Sequence, residues 1–251
     1  MKRMLLGAAA AAAMMMPGIA SADMSGSITL GYENNDYDNS DMDAFNLGGD
    51  FVYGMSNGWN LQLDGRSTSQ DWDCCSGNYN QNYVATHFST DLGNFDVGGF
   101  AGLVGYYDDS GIMLGVEGRT GFGNFALDGS LGHTDFGDNG FDGTAYRVGG
   151  AFFFMPNLAL TGGASMTNIN SGNDYEVTEL MIGGAYQFAN NIELFAGYTN
   201  GDYQPEFGTD YENDTLEIGV RFNLNRGTLQ ANAADGAWSS AEHISDTWSR
   251  W

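Results

Sequence analysis

Lysine is absent from this chain beyond its second residue, and seven arginines stand against 32 aspartates and glutamates. Polyanionic partners require clustered positive charge, so nucleic acid and anionic lipid surfaces are disfavoured as partners. Long apolar runs are missing too. No segment approaches the roughly 20 consecutive apolar residues of a membrane-spanning helix; the run from Met4 to Met16 falls well short of that. Cysteine is limited to the neighbours Cys74 and Cys75 in a Gly/Asn-rich loop. Adjacent thiols cannot staple distant parts of a fold, and zinc would need more ligands than that loop supplies.

What is present begins with an export signal. Met1-Lys2-Arg3, the apolar run, Pro17 and the small-residue site Ala20-Ser21-Ala22 follow the order of a secretory signal peptide. The sequence therefore predicts removal of residues 1–22 and a mature chain starting at Asp23, with six arginines and all 32 acidic residues.

From Ser25 to Leu224 one unit is written six times: two half-apolar strands, a tight Gly/Asn turn between successive pairs, and an acidic loop. The predicted strands cover 25–33, 44–55, 59–68, 83–91, 95–107, 112–120, 125–134, 144–154, 158–167, 176–188, 192–199 and 215–224. Alternation is plainest in Phe45, Leu47, Gly49, Phe51, Tyr53 and in Leu216, Ile218, Val220, Phe222, Leu224. Short turns end in Gly or Asn before a large apolar residue, as in Asn57-Gly58-Trp59 and Gly93-Asn94-Phe95. The opposite connections are mostly longer, carry no Lys or Arg, and include Asp36, Asp38, Asp41 and Asp43 in the first and Asp202, Glu206, Asp210, Glu212 and Asp214 in the last. Aromatic residues gather at both strand ends. The expected fold is all-β: a twelve-stranded antiparallel transmembrane β-barrel over 23–224, with short periplasmic turns, longer acidic outer loops and a C-terminal tail over 225–251. A soluble β-sandwich, which also alternates, is the competing reading.

With the apolar set facing lipid, the inward set contains Asp50, Asp64, Asp96, Glu117, Asp128, Glu179, Glu193 and Glu217 together with Arg66, Arg119, Arg147 and Arg221. Candidate pore-lining residues are Asp50, Asp64, Arg66, Glu117, Arg119, Asp128, Arg147, Glu179, Glu217 and Arg221. Such charges either line a cation-preferring channel or pair across a narrow interior and fill it. Inward glycines, among them Gly48, Gly115, Gly132, Gly149, Gly163, Gly183 and Gly219, reduce filling and favour a narrow pore. No catalytic residue, metal site or cofactor is expected: His87 and Ser89 share a face by chance, and acidic clusters such as Asp135, Asp138 and Asp142 lack EF-hand ligand order. In the tail, Trp238, Ala241, Ile244, Trp248 and Trp251 fall at helical spacing, which predicts a short amphipathic helix at the membrane interface or the barrel mouth.

The segments Ser25-Gly26-Ser27-Ile28-Thr29-Leu30-Gly31-Tyr32, Phe154-Met155-Pro156-Asn157-Leu158-Ala159-Leu160 and Leu216-Glu217-Ile218-Gly219-Val220-Arg221-Phe222 resemble outer-membrane porin-like barrels of Gram-negative, particularly alphaproteobacterial, type. The resemblance implies passive diffusion of small hydrophilic solutes, an environment of outer-membrane lipid and lipopolysaccharide, delivery by barrel-assembly machinery, and a homotrimer as an option. Two features depart from that pattern. The third outer connection, Asp108-Asp109-Ser110-Gly111, is too short for an inward constriction loop, and the last strand is followed by a Trp-rich tail. A non-conducting structural or adhesive barrel, its acidic loops binding divalent cations, lipopolysaccharide or a partner, is the alternative.

Overall fold

The computed structural model describes residues 24–250, apart from 38–39, 74–77, 107–108, 138–139, 173, 190, 207 and 225. The expectations for residues 1–22, for a start at Asp23, and for Asp38, Cys74, Cys75, Asp108, Asp138 and Trp251 lie outside the described residues. Twelve strands follow one another: β1 (Met24–Tyr37), β2 (Ser40–Gly54), β3 (Trp59–Trp72), β4 (Asn78–Asp91), β5 (Phe95–Tyr106), β6 (Asp109–Phe122), β7 (Phe125–Asp135), β8 (Asp142–Met155), β9 (Leu158–Asn170), β10 (Asp174–Ala189), β11 (Ile192–Pro205) and β12 (Tyr211–Leu224). Each pairs antiparallel with its sequence neighbours, and β1 pairs with β12 from Gly26↔Leu224 to Tyr37↔Asn213. That seam closes the barrel and leaves no free edge for another chain to pair with.

The pleat sends alternate side chains outward. Leu47, Leu114, Val116, Val148, Leu180, Ile182, Leu216 and Ile218 are each more than half exposed, a cost in water and none in hydrocarbon. Exposed Trp59, Phe95, Phe125 and Phe188 ring the short-turn end, and Tyr32, Tyr146 and Tyr198 the other, where amphipathic rings meet the two interfaces. Part of what the sequence reads as outer loop continues the strands: β1 runs to Tyr37 and β12 begins at Tyr211, each four residues beyond expectation. In five of the six outer hairpins, all but β5–β6, both partners extend together, so the ladder stays bonded while its acidic side chains face water.

After Leu224 the chain turns back into the barrel. Helix α1 (Leu229–Asp235) is capped by Thr228, whose side chain accepts from the Ala231 N–H at 3.3 Å. It lies by the short turns, where the Gln230 N–H donates to Pro156 O at 3.0 Å and Gln230 Nε2 to Gly123 O at 2.8 Å. Helix α2 (Ser240–Arg250) rises from there to the outer rim, where Tyr37 Oη donates to Arg250 O at 3.0 Å. The tail thus crosses the lumen from the periplasmic rim to the outer one. The sequence reading placed its apolar stripe at a membrane interface or the mouth; an apolar patch inside the barrel takes that stripe instead.

Candidate functional site

The interior is built from two unlike half-walls. On β4 to β11, Tyr83, Phe100, Val104, Met113, Ala145, Ile169, Val177 and Tyr203 point inward and are buried, packed with Ala241, Ile244 and Trp248 of α2. Phe136 meets the Trp248 ring edge-on at 4.9 Å. Burying an aliphatic or Phe side chain of this kind contributes about 1.5–3 kcal/mol, so this contact seats the helix firmly. Two glycines make room for it: a Cβ on Gly132 would collide with Ile244 Cδ1, and one on Gly143 would come 2.8 Å from Trp248 Cζ2. At these two positions the inward glycine admits the tail and does not widen a pore.

The opposite face of α2 carries Glu242, Asp246 and Arg250, spaced four apart and so aligned in one stripe. Arg66 of β3 pairs with Glu242 at 3.2 Å and with Asp246. Arg250 donates to Glu179 of β10 at 3.2 Å and lies 3.7 Å from Glu33 of β1. Glu179 also accepts from Ser165 at 2.8 Å and Thr247 at 3.1 Å, and Glu33 accepts from Asn46 at 2.5 Å. Below the helix, Arg119 donates to Gly236 O at 2.6 Å and stacks its guanidinium 4.4 Å from the Trp238 ring centroid.

All ten residues expected to line a pore face the interior, in three different settings. Arg66, Arg119 and Glu179 grip the tail, as does Asp50, which pairs with Arg226 and accepts from Ser27. Asp64 and Glu117 flank buried His87, each with a carboxylate oxygen 2.8 Å from one ring nitrogen. Its Nδ1 is hydrogen-bonded to Glu117 and its Nε2 faces Asp64. Asp128 with Arg147, and Arg221 with Glu193 at 2.9 Å, are wall pairs, and Glu217 stands beside them. Tail residues Trp238, Glu242, Asp246, Thr247 and Arg250 complete the site. Sequence reasoning missed their place in it; the signal was the apolar residues at inward parity on β5, β6, β9 and β10, which no water-filled pore requires.

Space remains on one side of α2. Two cavities of about 300 and 370 Å³ share Thr29, Thr161, Glu193, Arg221 and Glu242 in their walls, forming a crevice of mixed polar and apolar lining between the tail and the barrel wall. Arg250 bounds it towards the outer rim. Beyond, Asn35, Met42, Thr134, Tyr203, Asn213 and Thr215 are at most 2% exposed. The outer half of the lumen is therefore packed shut. His243 lies on the crevice.

No protein family matches this sequence, and no curated protein is similar to it. Solved structures are similar in fold. An outer membrane channel from Pseudomonas putida F1 superposes with a TM-score of 0.63 at 13% identity, over 82% of this chain and 97% of that one. The NanC porin gives 0.59 at 11% identity, over 78% and 100%. The translocator domain of the autotransporter NalP from Neisseria meningitidis gives 0.52 at 12%, over 88% and 95%. Closed barrel, lipid-facing belt and these likenesses together give the chain the fold of the bacterial outer-membrane β-barrels.

Proposed function

We propose that this chain is a porin-like channel that lets small hydrophilic solutes diffuse across the outer membrane, with a preference for cations, and that its tail holds the passage shut in the state described. The crevice beside α2 carries the proposal. It combines charged residues with inward Gly163, Gly183 and Gly197, whose missing side chains leave an open track along β9 to β11. A barrel meant only as a membrane anchor has no need of such a track.

Cation preference finds its support at the rim and not in the lumen. Five arginines and five carboxylates line the larger cavity, so its lining is balanced and the inward acid excess that the sequence suggested does not appear there. Asp36, Asp41, Asp43, Asp202, Glu212 and Asp214 stand on the outer strand extensions with no lysine or arginine in the connections between them. Their field concentrates cations at the mouth. Lipid and lipopolysaccharide as surroundings, and barrel-assembly machinery as the route in, follow from the same proposal. No catalytic role is proposed.

Planar-bilayer recording across a potassium chloride gradient tests this. The expected result is stepwise conductance with a reversal potential of cation-selective sign, together with liposome swelling in small sugars. A barrel that stays silent even after α2 has left the lumen, or an anion-selective reversal potential at moderate salt, would overturn it.

A further inference from the structure

We infer that Arg250 is the latch of this channel: by bridging Glu33 of β1 and Glu179 of β10 it pins α2 across the outer end of the crevice, and its release opens the passage. The inference rests on the channel reading and names the residue that controls it.

Four observations converge on this one residue. Arg250 lies where the crevice ends and the packed outer half begins. It ties together strands well separated around the barrel, with β11 and β12 between them, so it works as a crossbar and not as one more neighbouring-strand pair. Both carboxylates that receive it are buried and already positioned by wall groups, Asn46 on Glu33 and Ser165 on Glu179. They cannot follow the helix if it moves. Finally, Tyr37 donates to the Arg250 carbonyl, which ties the same residue to the outer rim.

The energetic logic is that of a desolvated ion pair. Taking charges out of water is costly, and the pair persists because each partner compensates the other; removing one leaves the rest uncompensated. Charge reversal at position 250 would set a carboxylate against two others inside the lumen, disfavouring the closed state while leaving the wall ladders intact. The apolar contacts of Ile244 and Trp248, with the Arg66 pairs to Glu242 and Asp246, then hold the helix without its crossbar.

Full-length chains in a background with Cys74 and Cys75 replaced by serine, carrying Ala241→Cys as a reporter, test the latch without relying on current. Ala241 is fully buried against the wall, so a thiol there reacts with a maleimide only when α2 leaves its seat. Arg250→Glu should speed labelling about tenfold or more and raise open probability in the bilayer to match. Arg250→Glu with Glu179→Arg should return both most of the way, an outcome a general loss of packing would not give. Heat-modifiable gel mobility verifies that each variant is a folded barrel, and Arg250→Gln serves as a milder alternative if reversal prevents assembly. Unchanged labelling in both Arg250 variants overturns the latch. Faster labelling with no current leaves the latch standing and overturns the channel reading.

Discussion

Gln62 of β3 and Trp238 of the tail hold each other by two reciprocal hydrogen bonds: Gln62 Nε2 donates to the Trp238 carbonyl at 2.8 Å, and the Trp238 N–H donates to Gln62 Oε1 at 2.7 Å. One side-chain amide thereby satisfies both backbone groups of a residue that belongs to neither helix, inside a lumen where water does not reach them. Gln62→Leu keeps the volume and leaves two buried backbone groups unpaired. The expected cost is about 1–3 kcal/mol, read as a lower unfolding temperature by heat-modifiable mobility, with Gln62→Asn recovering little because its amide is one methylene too short.

Gly132 and Ile244 provide a test of the seat itself. Gly132→Val places side-chain atoms where Ile244 lies and should lift α2, raising Ala241→Cys labelling. Adding Ile244→Ala removes the obstruction and should bring labelling back towards the parent rate. If the two changes simply add, the residues do not share a contact.

The outer strand extensions set like charges directly opposite one another: Asp36 faces both Asp41 and Asp214, Asp43 faces Asp71, and Asp202 faces Glu212. Opposed like charges on neighbouring strands cost about 0.2–1 kcal/mol each, less as salt screens them. Asp36→Asn should therefore raise the unfolding temperature at low ionic strength, and the gain should shrink towards zero near 1 M salt.

The cylinder was legible in the sequence because its signal is local. Phe45, Leu47 and Tyr53, or Leu216, Ile218 and Phe222, alternate within one strand, and turns such as Asn57-Gly58-Trp59 punctuate them, so strand number and lipid-facing parity follow from short windows. The inward direction of Arg66, Arg119, Arg147 and Arg221 followed from the same parity. What those charges bind did not. Arg66 and Glu179 meet α2, and Asp50 meets Arg226, across about 70 to 180 residues of chain. The helical spacing of Trp238, Ala241, Ile244 and Trp248 was visible, but its destination was not, because Phe100, Val104, Met113, Ile169 and Val177 come from four strands and form one patch only after the sheet has curled and closed.

Leu224 leaves β12 at one rim and Arg250 reaches the other, through a hoop whose seam is the β1–β12 ladder. Because the needle enters by the same rim at which β12 ends, it can withdraw and return through that opening without breaking a rung of the seam.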